Sequence, residues 1–180
     1  MDNFYVITGG PGVGKTTLLT ELENVGFKIA HEEARRIIQN EVEIGGDGLP
    51  WKNRVYYTKL MIEESIKTYK LHSESGPSDI HFFDRGILDA ICYADMMGLD
   101  IEDRLKTAVS DFRYNQKVFL LPPWKKIYEK DNERKQDWDE AISTYSAMKL
   151  TYHRYGYELI EVPTGAITNR ANFIISQIGC

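Results

Sequence analysis

Gly9-Gly10-Pro11-Gly12-Val13-Gly14-Lys15-Thr16-Thr17 contains the pattern G-x-x-x-x-G-K-[ST], a phosphate-binding loop. The apolar run Phe4-Tyr5-Val6-Ile7 precedes it, and Thr17-Leu18-Leu19-Thr20-Glu21-Leu22 follows with a helical pattern. A strand before the loop and a helix after it are the context that gives the motif meaning. The glycines let backbone N–H groups turn inward onto phosphate oxygens, where a Cβ would crowd the ligand. On this reading Gly10, Pro11, Gly12, Val13, Gly14, Lys15, Thr16 and Thr17 cradle the nucleotide. Lys15 reaches the β and γ phosphates, and the Thr16 hydroxyl is a ligand for Mg²⁺. The helix that starts at about Lys15 adds its positive N-terminal end beneath the same anion. The expected ligands are ATP or GTP together with Mg²⁺.

Outward from the loop, strand and helix signals alternate. Strands are expected at Phe4–Thr8, Gly26–Ala30, Ile80–Asp84, Val118–Leu121 and Leu159–Val162. Helices are expected between them: Lys15–Asn24, Glu32–Glu43, about Trp51–His72, Ile87–Met97, Ile101–Phe112, a long one through Ile142–Tyr155, and a closing one from Ile167. Val55, Ile62, Ile66 and Tyr69 suggest one buried face on the third of these, and Ile142, Tyr145, Met148, Tyr152 and Tyr155 one on the long helix. Such alternation argues for an α/β fold, doubly wound, with a mainly five-stranded parallel sheet flanked by helices. Residues 1–180 read as one domain, with a lid segment over about 124–140. Ligands in such sheets sit at the carboxyl ends of the strands.

Those strand ends carry charge. Asp84-Arg85-Gly86 follows the third strand, and Asp84 there suits a role in holding Mg²⁺; an aspartate capping the next helix is the other reading. Arg85 would face the cleft and grip phosphate or a carboxylate. Asp89, one turn on, either caps that helix or touches substrate. The second strand ends at His31-Glu32-Glu33-Ala34-Arg35-Arg36. A carboxylate at this point can take the proton from an attacking hydroxyl, and Glu32 is preferred as that base, with Glu33 the alternative and a second candidate for substrate contact. Arg36 and Arg35 either contact the acceptor or pair with Glu32 at helical spacing. His31 reads as structural. The mixed-charge run Lys125–Asp137 is either a solvated helical face or a lid whose cation neutralises the transferring phosphoryl group, Arg134 first, Lys130 or Lys126 otherwise. The aromatics Trp51, Tyr56, Tyr57, Tyr93 and Trp124 are assigned to no site.

The chain of 180 residues has 42% apolar and 27% charged residues and a net charge of −5, the profile of a globular protein without an overall basic field. No nucleic-acid partner is expected from that balance. Cys92 and Cys180 make no metal-ligand spacing, and together with the lack of a leader segment they suggest a cytoplasmic protein. No apolar stretch approaches the length of a membrane span.

With these residues in view, the chain resembles the small predicted ATPases of the phosphate-loop kinase-like group, classed with AAA-type domains and similar to the kinase domain of nicotinamide riboside kinase. The resemblance covers nearly the whole chain and rests on GGPGVGKTT, HEEARR, FFDRGILD and PPWKKIYEKDNERKQ. Its layout is also similar to that of deoxynucleoside kinases. It implies Lys15, Glu32 (or Glu33), Asp84 and Arg134 as catalytic residues and Asp84-Arg85 as an acidic–arginine pair. The expected activity is ATP- and Mg²⁺-dependent phosphoryl transfer to a small, nucleoside-like acceptor of unknown identity, with simple NTP hydrolysis as the lesser form. Some relatives resemble GTP- and lipid-binding regulators, so a nucleotide-switched protein is the alternative; a homodimer is left open. A ring-forming ATPase is disfavoured, since no separate helical domain follows the sheet.

Overall fold

Six consecutive residues of the first strand are buried, because that strand lies in the middle of the sheet with neighbours on both edges and helices on both faces. The structure, a computed structural model, describes residues 3–74, 76, 79–128 and 138–179. Its strands are β1 (Phe4–Gly9), β2 (Lys28–Ala30), β3 (His81–Asp84), β4 (Lys117–Leu121) and β5 (Glu158–Glu161), all parallel in the order β2-β3-β1-β4-β5. Among the described residues the helices are α1 (Lys15–Asn24), α2 (Ala34–Glu43), α3 (Arg54–Ser73), α4 (Ile87–Met96), α5 (Asp103–Asp111), α6 (Lys125–Tyr128), α7 (Trp138–Arg154) and α8 (Ile167–Ile178). The doubly wound α/β architecture expected from the alternating pattern is the one observed.

The pleat divides the core in two. Tyr5 and Ile7 join Leu18 and Leu22 of α1, Phe82, Phe119, and Ala171 and Ile174 of α8. Phe4 and Val6 point the other way, onto Ile62 of α3, Phe83, Ile87 and Ile91 of α4, and Tyr152 of α7. Side chains of successive strand residues face opposite sides, so β1 feeds both clusters and must be apolar throughout. The β1 connection leaves the sheet between β3 and β4, which opens a crevice at their carboxyl ends. The phosphate loop fills one side of it.

Several boundaries and faces differ from expectation. β2 starts only at Lys28, since Gly26 (φ 105°) still belongs to a turn. α2 starts at Ala34 instead of Glu32, which leaves Glu32 on the extended exit from β2 and Glu33 at the N-cap. Val55 is 51% exposed, because the first turn of α3 overhangs the core; Tyr57, Thr58, Ile62 and Tyr69 are buried instead. On α7 the buried stripe is Ala141, Thr144, Met148, Thr151 and Tyr152, with Ile142 exposed. Two successive steps of three residues each fall short of a turn, which puts Ile142 about 120° around the helix from Met148. The lid expected over about 124–140 lies mostly outside the described residues, as do Arg134, Lys130 and Cys180. Lys126 is on α6 and exposed. No helix among the described residues is long and apolar enough to cross a membrane.

Candidate active site

The loop between β1 and α1 is held against the sheet at its start and against α8 at its end. Gly9 has φ 150°, and a Cβ there would stand 2.8 Å from the carbonyl oxygen of Leu121. Gly14 caps α1 in the left-handed region (φ 79°), and a Cβ there would meet the Arg170 guanidinium at 2.9 Å. Gly9 therefore needs glycine for conformation and for space, and Gly14 for conformation. Lys15 follows as the first residue of α1 and is buried. Thr16 and Thr17 are exposed on the first turn, and Pro11 reaches the cavity beside the loop.

Burial, and then the nearby positive charge of Arg85, pulls Lys15 down from 10.5 to about 8, against the opposing pull of Asp84, Glu32 and Asp89. The sign of the consequence follows directly. Phosphates bind the protonated amine, and below pH 8 the free protein already carries that proton; above it, binding must take one up. Nucleotide affinity is expected to fall by up to about tenfold per pH unit above pH 8. Calorimetry in buffers of different ionisation enthalpy should find uptake approaching one proton at pH 9 and little at pH 7, and no uptake at either pH would overturn this. The same lowered value makes the ligand-free fold less stable below pH 8, with the loss disappearing as pH rises toward 10.5.

Across from the loop, Arg85 is the one non-glycine residue with positive φ (71°) among those described. Its N–H donates to the Ile7 carbonyl at 3.0 Å, so the strained turn is tied to β1. That turn aims the guanidinium back over the strand ends. Nε donates to Glu32 Oε1 at 2.7 Å and Nη1 to Asp89 Oδ1 at 3.2 Å. Burial alone would lower the Arg85 pKa, but Glu32, Asp89 and Asp84 outweigh it and hold the guanidinium firmly charged. Burial pushes Glu32 up, yet Arg85 and Lys15 pull it further down, below the usual carboxylate range. It is therefore ionised at neutral pH.

Asp89 is saturated. Besides Arg85, it accepts from Thr8 Oγ1 at 2.5 Å, from the Gly86 N–H at 2.9 Å and from the Tyr152 hydroxyl at 2.6 Å. It thus closes the start of α4 and clamps Arg85, the first of the two roles that the sequence left open. Asp84 is not the helix cap; it is the last residue of β3, and Gly86 is the cap. Its Oδ1 is buried without a hydrogen-bond partner among the described residues, and its carboxyl is raised by burial despite Lys15.

Glu33 and Arg36 form a separate network. Arg36 Nε meets Glu33 at 2.5 Å, its Nη2 meets Glu64, and the Thr68 hydroxyl donates to Glu33 at 2.8 Å. Arg36 is 59% exposed, does not itself line the cavity, and pairs with Glu33 and Glu64 instead of Glu32. Arg35 is exposed and acts on Glu32 only through its charge.

Beyond Arg85 lies a cavity of about 290 Å³, whose wall includes Tyr57, Met61, Phe83, Ala90, Tyr93 and Met96. The Tyr57 and Tyr93 rings meet edge to face at 5.9 Å. Burial, with the charge of Glu32, raises the Tyr57 hydroxyl to about 12, so it stays protonated as a donor. His31 also lines this cavity, at its exposed edge. Trp51 does not: it is 65% exposed at the head of α3. Sequence reasoning left Tyr57 and Tyr93 unassigned and did not find Thr8, Tyr152 or Arg170. Nothing local marks Tyr152, which reaches Asp89 from α7.

Solved structures show which known folds this chain is similar to. The NadR protein in complex with NR superimposes with a TM-score of 0.72 at 18% identity, covering 98% of this chain and 50% of that one. Deoxyadenosine kinase from M. mycoides with bound dATP gives 0.61 at 15% identity, with 98% and 99% covered. Thymidylate kinase from Candida albicans gives 0.64 at 14% identity, with 98% and 90% covered. The chain spans about half the length of the NadR protein. At these identities the likeness establishes the fold, a phosphate-loop kinase-like one. No curated protein matches the chain. The AAA domain family model, however, matches residues 4–170, from β1 to the buried arginine of α8, and the chain belongs to that family.

Proposed function

We propose that the protein is a kinase that uses a nucleoside triphosphate and Mg²⁺ to phosphorylate a hydroxyl group of a small, nucleoside-like acceptor. The observation that carries this is the Glu32–Arg85–Asp89 chain, set beside the phosphate loop on the wall of an aromatic-lined cavity. That cavity is near the lower end of ligand pockets, roughly 300–1,000 Å³, and suits a small ring-bearing molecule. That its fold neighbours include a deoxyadenosine kinase and a thymidylate kinase supports the same reaction class.

In this reading the loop amides and Lys15 hold the β and γ phosphates. The acceptor hydroxyl gives its proton to Glu32 as its oxygen bonds to the γ phosphorus, and the bond from that phosphorus to the bridging oxygen breaks, releasing the diphosphate. Arg85 keeps Glu32 ionised and presents positive charge toward the transferring group, and Asp89 keeps Arg85 in place. Thr16 and Asp84 fit Mg²⁺, which binds through one or two protein oxygens plus phosphates, and the orphaned Oδ1 of Asp84 lacks the partner that such an ion supplies. When bound, the ion neutralises phosphate charge. Arg134 remains the proposed lid cation.

Asp84→Asn should shift the Mg²⁺ requirement for turnover by about tenfold or more, while leaving the metal-free melting temperature equal or higher, since it removes a buried carboxylate lacking one partner. A drop in metal-free stability with an unchanged Mg²⁺ requirement would make Asp84 structural.

Among the described residues lining the cavity, Glu32, Glu33, Asp84 and Asp89 are acidic, and the one arginine, Arg85, is already bound by two of them. An acceptor that already bears a phosphate therefore meets like charge. A nucleoside should be preferred over its monophosphate by about 100-fold in kcat/KM. The deciding experiment incubates the protein with Mg·ATP and a metabolite library and detects phosphorylated products by mass, with Lys15→Ala as blank. A product absent from the blank establishes the kinase; hydrolysis without product replaces it with a nucleotide-switched protein.

A further inference from the structure

Arg170, on the first turn of α8, is 4% exposed, and no carboxylate pairs with it among the described residues. Its Nη2 donates to the Val13 carbonyl of the phosphate loop at 3.2 Å. Its Nε is buried with no hydrogen-bond partner among the described residues. The guanidinium lies 6.0 Å from the centre of the Trp124 ring and packs directly against Gly14, the cap of α1. Burial with so little compensation lowers its pKa.

This is an unusual place for an uncompensated cation. The N-terminus of α1 is itself positive, and Lys15 follows it immediately. Buried charges in proteins are normally paired and fully hydrogen-bonded. Here the neighbours are a carbonyl dipole, an indole face and the positive end of a helix. The missing counter-charge is what a nucleoside triphosphate brings to the other side of the loop.

From this we infer that Arg170 is a positioning residue for the nucleotide: it holds the loop through Val13, and its charge, which no described residue pairs, is neutralised by the phosphates. The inference rests on the nucleotide-binding reading of the loop. Burial of an unpaired cation strains the free protein, and phosphate binding relieves that strain, so part of the affinity for ATP is stored in the ligand-free state. A purely structural arginine would behave differently, because removing it would weaken the free fold instead.

The test compares wild type, Arg170→Met, Arg170→Lys and Lys15→Ala by thermal melting and by calorimetric titration with Mg·ATP and with adenosine. Arg170→Met should melt at or above the wild-type temperature without nucleotide and bind Mg·ATP about tenfold or more weakly. Its affinity for adenosine, which has no phosphates, should be unchanged, and Arg170→Lys should recover much of the Mg·ATP affinity. An Arg170→Met protein that binds Mg·ATP within twofold of wild type overturns the inference. So does equal weakening toward adenosine and Mg·ATP, or a lower melting point with the adenosine-to-ATP ratio preserved. If Arg170→Met does not fold, the lysine variant decides, since a retained preference for Mg·ATP over adenosine is then required. Lys15→Ala separates the two levels: should it bind Mg·ATP as well as wild type, the nucleotide site itself is wrong; should it fail while Arg170→Met binds normally, only the role of Arg170 is.

Discussion

Asp89→Asn is expected to destabilise the protein by about 3 kcal/mol, the scale for breaking a buried ionic network by removing one charge. For a domain of this size that corresponds to a melting temperature lower by roughly 6–12 °C. The carboxylate accepts from four donors: the Thr8 and Tyr152 hydroxyls, the Gly86 N–H and Arg85. An asparagine has one acceptor oxygen. If that oxygen stays with Thr8 and Arg85, the amide NH₂ faces the Gly86 N–H, a donor that cannot turn away. The residue is buried next to Thr8 of the central strand, where its donors are held in place. Turnover should fall as well, by about 100-fold, because Arg85 loses one of the two carboxylates that orient it. Tyr152→Phe is the matched control. It removes one donor of the four and should lower stability by about 1 kcal/mol. Chemical denaturation of both variants checks the pair, and an Asp89→Asn loss no larger than that of Tyr152→Phe would show that the network does not act as a unit.

Glu32→Gln is expected to lower turnover by about 10²–10⁴-fold, the range for loss of a general base, with the fold intact. Glu33→Gln should stay within about threefold of wild type, because Glu33 is engaged by Arg36 and Thr68 on the far wall. Single-turnover kinetics with whichever acceptor the metabolite library yields separates the two directly. If Glu33→Gln is the slow variant, the base has been assigned to the wrong neighbour. The pH profile gives a second check. Arg85 and Lys15 hold Glu32 below the usual 4.5, so the acid limb of kcat/KM should lie below the ordinary glutamate range. By the same shift, Glu32 contributes stability above its unfolded pKa and loses it as pH falls through the folded one.

Much of this was legible in the chain itself because the relevant forces are local. The phosphate loop is contiguous, and its glycines are required by backbone conformation at Gly14 and by a close approach at Gly9. The continuous apolar run of β1 and the alternation of strand with helix identify a parallel sheet covered on both faces. Ligands gather at the carboxyl ends of such strands, and Asp84, Arg85 and Glu32 stand at those ends in the sequence. Helix faces were read less well. Ile142 and Val55 were assigned inward by spacing, but an overhanging first turn and accumulated angular drift put them in solvent.

The sequence alone thus determined the fold class, the nucleotide loop and the short list of charged residues around it, since each depends on neighbours within a few positions. Tertiary structure alone decided which of those charges meet. It chose Glu32 over Glu33 for Arg85, by starting α2 at Ala34 and leaving Glu32 on the strand exit. It brought Tyr152 and Thr8 onto Asp89 from 63 and 81 residues away, and Arg170 beneath the loop from 157. Contacts at such separations arise from how helices pack across a common sheet, and the strength of a buried charge depends on what surrounds it in space. A linear pattern carries neither.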